Sequence, residues 1–239
     1  MVKNNDKLFA GAGIIVCKPG SAKGCESITV VETVYAEQLS TLIFSLKDVF
    51  NNDLDYFNKY EFYGRLADAA NSQLQHSDNY EALRLAVIRE ACDIAAEMGS
   101  HLYFAYGSNM DVDQMAHRCP DAVFTGVASL PGYAFELDSA GVATVVERPG
   151  STVHGVLWLI SESDERSLDG YEGVGHGCYR KANLSALDDA GRSSCPLVYV
   201  SNRGTHDGMT YRSYYMDNIV RNARKLGFDT EYIKNLEMK

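Results

Sequence analysis

An α+β chain of two domains, residues 1–99 and 100–239, is what this sequence predicts, the second built on a closed or strongly curled mixed sheet. Three observations carry that expectation. At 239 residues the chain is longer than one average domain requires. A regular helical pattern runs out at Gly99-Ser100, the natural punctuation between two compact units. Between Val153 and Ile160 both alternating faces are largely apolar, with Gly155, Leu157 and Leu159 against Val156, Trp158 and Ile160. A strand of that kind is buried on both sides.

Charge and composition narrow the partners. The formal net charge is −10, which argues against nucleic acid or an anionic membrane surface and leaves a small soluble ligand as the default. No apolar run is long enough to cross a bilayer, and the polar start Met1-Val2-Lys3-Asn4-Asn5-Asp6-Lys7 lacks a signal-peptide core, so a cytoplasmic protein is expected. The cysteines Cys17, Cys25, Cys92, Cys119, Cys178 and Cys195 lack close paired spacing and read as thiols. The pairs His117/Cys119 and His176/Cys178 are too sparse for a zinc site. The sequence leaves the oligomeric state open.

In the first domain, strand-like runs at Leu8 to Cys17 and Ile28 to Val34 flank turn chemistry and predict a hairpin opening a sheet. A polar, aromatic-rich region from Phe50 leads to Tyr60-Glu61-Phe62-Tyr63-Gly64-Arg65, and Asp68 to Asn79 reads as loop. Leu83, Val87, Ala91, Ile94 and Met98 then share one helical face as a packing stripe. The same helix carries Glu90, Asp93 and Glu97 along another edge, an oxygen cluster of the type that suits hard divalent cations. A Gly-containing strand followed by Glu81 and Arg89-Glu90 resembles the Nudix hydrolase signature, which implies Mg²⁺ held against a diphosphate. The spacing from Gly64 to Glu81 exceeds that family's, so the domain is read as at most degenerate Nudix-like. A solvated acidic helix face is the preferred reading of the three carboxylates.

The second domain opens on an apolar strand, Leu102 to Tyr106, that runs into a Gly107-Ser108-Asn109 corner and a helix capped by Asn109 or Asp111 and stopped by Pro120. Backbone amides at such a corner form a small anion site. Strands follow at Ala122 to Leu130 and Tyr133 to Leu137, divided by a Pro131-Gly132 turn. Further strands at Gly141 to Val146 and Val153 to Ile160 flank a turn at Arg148-Pro149-Gly150-Ser151. Ser161 to Asp164 caps a short helix ending at Leu168-Asp169-Gly170. Just beyond it, Glu172 stands alone among four glycines in eight residues, Gly170, Gly173, Gly175 and Gly177. Such density marks left-handed or tight backbone. At the C-terminal end of a helix dipole this carboxyl is expected to be raised in pKa, a setting for proton transfer near neutral pH. Cys195 to Val200 gives another strand, and a helix patterned by Tyr215, Ile219, Ala223 and Leu226 precedes a last piece, Thr230 to Leu236.

Phe104-Ala105-Tyr106-Gly107-Ser108-Asn109, Gly141-Val142-Ala143-Thr144, Val153-His154-Gly155-Val156-Leu157, Leu168-Asp169-Gly170-Tyr171-Glu172-Gly173-Val174 and Tyr179 together resemble the γ-glutamylcyclotransferase family, in that order along the chain. The resemblance covers roughly residues 101 to 239 and implies a small α+β fold with a barrel-like sheet. It implies Glu172 as the catalytic acid/base and Tyr106, Gly107, Ser108, Asn109, Tyr179, Tyr199 and Tyr211 as substrate-binding residues. It also implies a small γ-glutamyl substrate, release of 5-oxoproline, and no metal or other cofactor. The YGSN corner, rather than YGSL, places free γ-glutamyl amino acids or amines ahead of glutathione. Other readings stay open beside it. Ser108 is a possible nucleophile, although it lacks a Gly-x-Ser-x-Gly elbow. The fold also suits a non-catalytic binding module, in which Tyr179 and Tyr199 are wall residues with satisfied hydroxyls.

Overall fold

The computed structural model describes residues 8–10, 13–18, 26–32, 34–50, 56–205 and 213–239. Contacts divide the chain into two compact units, Met1–Glu97 and Met98–Lys239. No helix among the described residues is long and apolar enough to cross a membrane.

In the first unit β1 (Leu8–Ala10), β2 (Gly13–Lys18) and β3 (Glu26–Glu32) form an antiparallel sheet in that order. Three helices follow. α1 (Ala36–Val49) was not anticipated from sequence, although Ala36, Leu39, Ile43 and Leu46 all face the core. α2 (Tyr56–Leu74) replaces the expected strand around Gly64 and most of the expected loop. Its buried residues Phe62, Tyr63, Leu66, Ala67 and Ala70 sit on one side, and the polar residues that suggested a loop sit on the other. α3 (Tyr80–Met98) buries Leu83, Val87, Ala91 and Ile94, with Met98 left exposed at its C-terminal end, outside the stripe expected of it.

The acidic edge of α3 has a partner within this unit. Arg65 on α2 bonds Glu90 Oε1 through Nε at 2.6 Å and clasps both oxygens of Glu97 at 2.6 and 2.9 Å. The guanidinium holds Glu97 below its ordinary pKa. A bidentate fork of this geometry pins two helices together and takes up the lone pairs a cation would need. Among the described residues no group of three or more His, Cys, Asp or Glu is placed to hold a metal ion. Helical Gly64 thus overturns the strand read from sequence, whereas Asp93 and Glu97 stay exposed on a solvated acidic face that Arg65 lies across.

The second unit is a mixed sheet with helices around it. Its strands are β4 (Leu102–Ala105), β5 (Val123–Leu137), β6 (Ala143–Leu159), β7 (Tyr179–Asn183), β8 (Ala186–Asp188), β9 (Ser193–Ser194) and β10 (Leu197–Ser201), in the order β7-β10-β4-β6-β5-β8-β9. Among the described residues only β10 and β4 pair in parallel. The expected turns at Pro131-Gly132 and Arg148 to Ser151 are bends instead: β5 and β6 are single long strands that curl together. Pairing passes from Pro131 opposite Thr152 to Tyr133 opposite Glu147, so residues 148–151 and Gly132 absorb the irregularity. Gly132 and Gly150 adopt φ of 82° and 83°, and a proline tolerates a bulge because it owes the ladder no donor.

Helices α4 (Val112–Arg118), α5 (Glu162–Tyr171), α6 (Ser213–Lys225) and α7 (Thr230–Glu237) complete the unit. Asp111, not Asn109, caps α4 by accepting from the Gln114 amide at 3.0 Å. A reciprocal capping box of Ser161 and Asp164 starts α5. Because α5 delivers the residues described below, Ser161→Ala is expected to lower stability by about 1 kcal/mol, measurable as a shift in the urea midpoint at unchanged slope.

Candidate active site

The β4 strand is buried at all four positions and delivers Tyr106 into a tight corner. A 3₁₀ turn over Ser108–Met110 follows, closed by the Met110 amide on the Gly107 carbonyl (3.1 Å) and the Asp111 amide on Ser108 (3.1 Å). As the first amides of a helical turn, those of Gly107, Ser108 and Asn109 donate to nothing within it. Gly107 is closely packed: a Cβ there would lie 3.3 Å from Ala143 Cβ and 3.4 Å from the Tyr215 hydroxyl.

On the opposite wall α5 ends at Tyr171 and Glu172 is its C-terminal cap residue. The chain then turns through Gly173, at φ 62°, and a short 3₁₀ turn over Val174–His176 into β7. A Cβ on Gly173 would press on Cys178 at 3.2 Å, so this glycine has both a conformational and a steric reason. The turn aims Glu172 back at the corner, where its Oε1 accepts from Asn109 Nδ2 at 3.2 Å. Burial raises the Glu172 carboxyl above its ordinary pKa, opposed by Arg118 and by the Asn109 bond. Desolvation is thus the leading cause of the upward shift, and Glu172 sits at the C-terminal end of α5, where the sequence placed it.

Tyr103, Tyr106, Gly107, Ser108, Asn109, Ala143, Glu172, Tyr179, Tyr199 and Tyr215 line one small pocket. The sequence-derived set thus comes together except at Tyr211, which lies outside the described residues. Tyr103 and Tyr215 were missed: the first sat in an apolar strand and the second in an amphipathic helix stripe, where core is the default meaning of tyrosine. Ala143 lay within a motif that had been recognised, Gly141 to Thr144, without a role attached. Exposed His176 is not among the lining residues.

The phenols are not equivalent. Tyr106 donates to the Tyr199 carbonyl (2.6 Å), Tyr179 to the Ala143 carbonyl (2.6 Å) and Tyr199 to Asp169 Oδ1 (2.7 Å), so these three hydroxyl protons are committed to the wall. Tyr103 and Tyr215 instead accept, from Asn109 Nδ2 at 2.9 Å and from the Ala143 amide at 3.1 Å. Each keeps its own proton for another acceptor. Burial pushes Tyr215 up to about 12 and Tyr103 and Tyr106 well above the ordinary value, so all three stay protonated at neutral pH. The pocket can therefore offer neutral donors, corner amides and one carboxyl of elevated proton affinity.

Comparison with known proteins shows what the chain is similar to. Residues 152–236 match the AIG2-like family. The γ-glutamylcyclotransferase of Bos taurus is 31% identical over 156 residues, covering 60% of this chain and 81% of the relative. That of Homo sapiens is 30% identical over 149 residues, covering 58% and 78%. A solved γ-glutamyl cyclotransferase superposes with a TM-score of 0.52 at 29% identity, over 57% of this chain and 85% of its own. A shared fold, an ordered run of motifs and close coverage of the relatives' length lead to one conclusion: the chain belongs to the γ-glutamylcyclotransferase family.

Proposed function

We propose that this enzyme releases 5-oxoproline from a γ-glutamyl amino acid or γ-glutamyl amine in the pocket between the Gly107-Ser108-Asn109 corner and Glu172. The single observation that supports it most is the Glu172 carboxyl, partly buried, raised in proton affinity and held at 3.2 Å by the corner's own asparagine. Glu172 takes a proton from the substrate's α-ammonium, and the freed amine attacks the γ-amide carbonyl. A C–N bond closes the five-membered lactam, the proton held by Glu172 passes to the leaving nitrogen as its bond to carbon breaks, and the freed carboxylate then takes the surplus proton of the ring nitrogen, which departs on the released amine as its ammonium. Oriented intramolecular attack of this kind lowers a barrier by about 7 kcal/mol or more. Positioning the glutamyl group is accordingly half the chemistry, and the corner amides with the Tyr103 and Tyr215 hydroxyls supply donors for its carboxylate or for the tetrahedral oxyanion.

The test is an assay of purified full-length protein against γ-glutamyl amino acids, γ-glutamyl amines and glutathione, with 5-oxoproline quantified by mass spectrometry. Turnover of the first two classes ahead of glutathione is the expected result. Binding without product from any of the three would leave a ligand-binding module as the correct description.

A further inference from the structure

We propose that Arg118 is a positioning residue for the cyclisation, the group that decides which way the Asn109 amide faces and so supplies Glu172 with its hydrogen bond. This rests on the assignment of Glu172 as acid/base. Every hydrogen-bonding capacity of the Asn109 side chain is engaged. Its Nδ2 donates to Tyr103 Oη at 2.9 Å and to Glu172 Oε1 at 3.2 Å. Its Oδ1 accepts from Gln114 Nε2 at 2.9 Å and from Arg118 at 2.8 Å.

Of these four partners only two cannot change role. A phenol gives or takes a proton, and the Gln114 amide has two ends. A guanidinium only donates and an ionised carboxylate only accepts. With Arg118 on one side and Glu172 on the other, one orientation of the amide is satisfied, and the flipped one sets NH₂ against a cation and oxygen against an anion. Arg118 is itself anchored. Its guanidinium carbon lies 4.4 Å from the centroid of the Tyr171 ring, and its carbonyl accepts from Ser167 at 2.7 Å. Tyr171 immediately precedes Glu172, so the last turn of α5 carries both the carboxyl and the aromatic plate that holds the cation. Tyr171, Arg118, Asn109 and Glu172 close a ring of contacts across α4, the corner and α5.

Arg118 on α4 and Asn109 at the corner act on Glu172, and its carboxyl in turn bears on Tyr103 and Tyr106 at β4 and its corner, Tyr179 on β7 and Tyr215 on α6. Arg118 is the cation of that set, and its removal withdraws both its field and the fixed Asn109 donor. Arg118→Met is therefore expected to lower kcat about tenfold or more with a smaller change in KM, and to move the acid limb of the kcat/KM profile to higher pH. Arg118→Lys, which keeps a donor and a charge without the planar fork, is expected between the parent and Arg118→Met.

The deciding measurement is the titration of the Glu172 carboxyl in protein labelled with ¹³C at glutamate side chains, assigned by its loss in Glu172→Gln. Movement to higher pH in Arg118→Met, with Arg118→Lys intermediate, supports the positioning role. A titration unchanged from the parent overturns it. If Arg118→Met fails to fold, Tyr171→Ala and Arg118→Lys carry the same titration, where movement again supports the role and no movement again overturns it. A parent protein that forms no 5-oxoproline refutes the reaction, and the titration then judges the positioning role by itself.

Discussion

Glu172→Gln is expected to reduce kcat/KM for 5-oxoproline release by about 10²- to 10⁴-fold, the range for loss of a general acid/base, while the fold survives. Glutamine keeps the shape of the side chain and an oxygen for Asn109 Nδ2. It cannot move a proton. Stability gives an independent check. Burial raises the carboxyl's pKa in the folded chain, so the folded state binds that proton more tightly than the unfolded one. The resulting penalty is absent below the usual carboxylate range, where both states are protonated, and complete once pH exceeds the raised folded value. The variant should therefore melt no lower than the parent at pH 7, and any advantage should vanish on acidification. For the parent, activity should decline as pH falls through the same elevated value, because the protonated carboxyl is no longer a base. Equal turnover by variant and parent would remove Glu172 from the reaction.

The second large effect is expected at Gly155. This glycine of β6 lies against β4, where a Cβ would sit 2.3 Å from the Ala105 carbonyl oxygen and 2.7 Å from Phe104 Cζ. Backbone cannot step aside as a side-chain tip does. Gly155→Ala should cost about 3 kcal/mol or more, at the upper end for overpacking, and lower Tm by about 10 °C for a unit of this size. Because Ala105 directly precedes Tyr106, the displaced strand carries the corner with it, and activity should fall even in the fraction that remains folded. Gly64→Ala is the contrast: Gly64 is inside α2 with nothing within 4 Å of its added carbon. That substitution should raise stability by about 0.5–1 kcal/mol. Differential scanning calorimetry of the two variants decides both, and a Gly155→Ala protein as stable as its parent would contradict the close approach.

Much of the site was legible because its chemistry is local. The apolar strand into Gly107-Ser108-Asn109 and the lone acid among glycines are each written in a few consecutive residues. What escaped was what depends on tertiary placement. Tyr215 enters the pocket from α6, and the hydroxyl of Tyr199 turns away to Asp169; no spacing along the chain announces either. The bends at Gly132 and Gly150 were read as reversals because proline and glycine mark both, and only the partner strand tells them apart. The Gly64 region misled for a related reason. Polar residues on the solvent side of α2 mimic a loop until its buried side is known, and the Arg65 clasp on Glu90 and Glu97 joins residues far apart in sequence.

The sheet's connectivity sets an order of assembly. β5 and β6 are neighbours along the chain and can zip from their own connection, whereas β10 must return to β4, and the Tyr106 hydroxyl finds its carbonyl acceptor 93 residues downstream. Long closures carry the larger entropic cost and come late. A chain emerging from the ribosome should thus hold a formed hairpin well before it holds a working cavity. On warming the sequence should reverse, with turnover lost at a lower temperature than the circular dichroism of the hairpin.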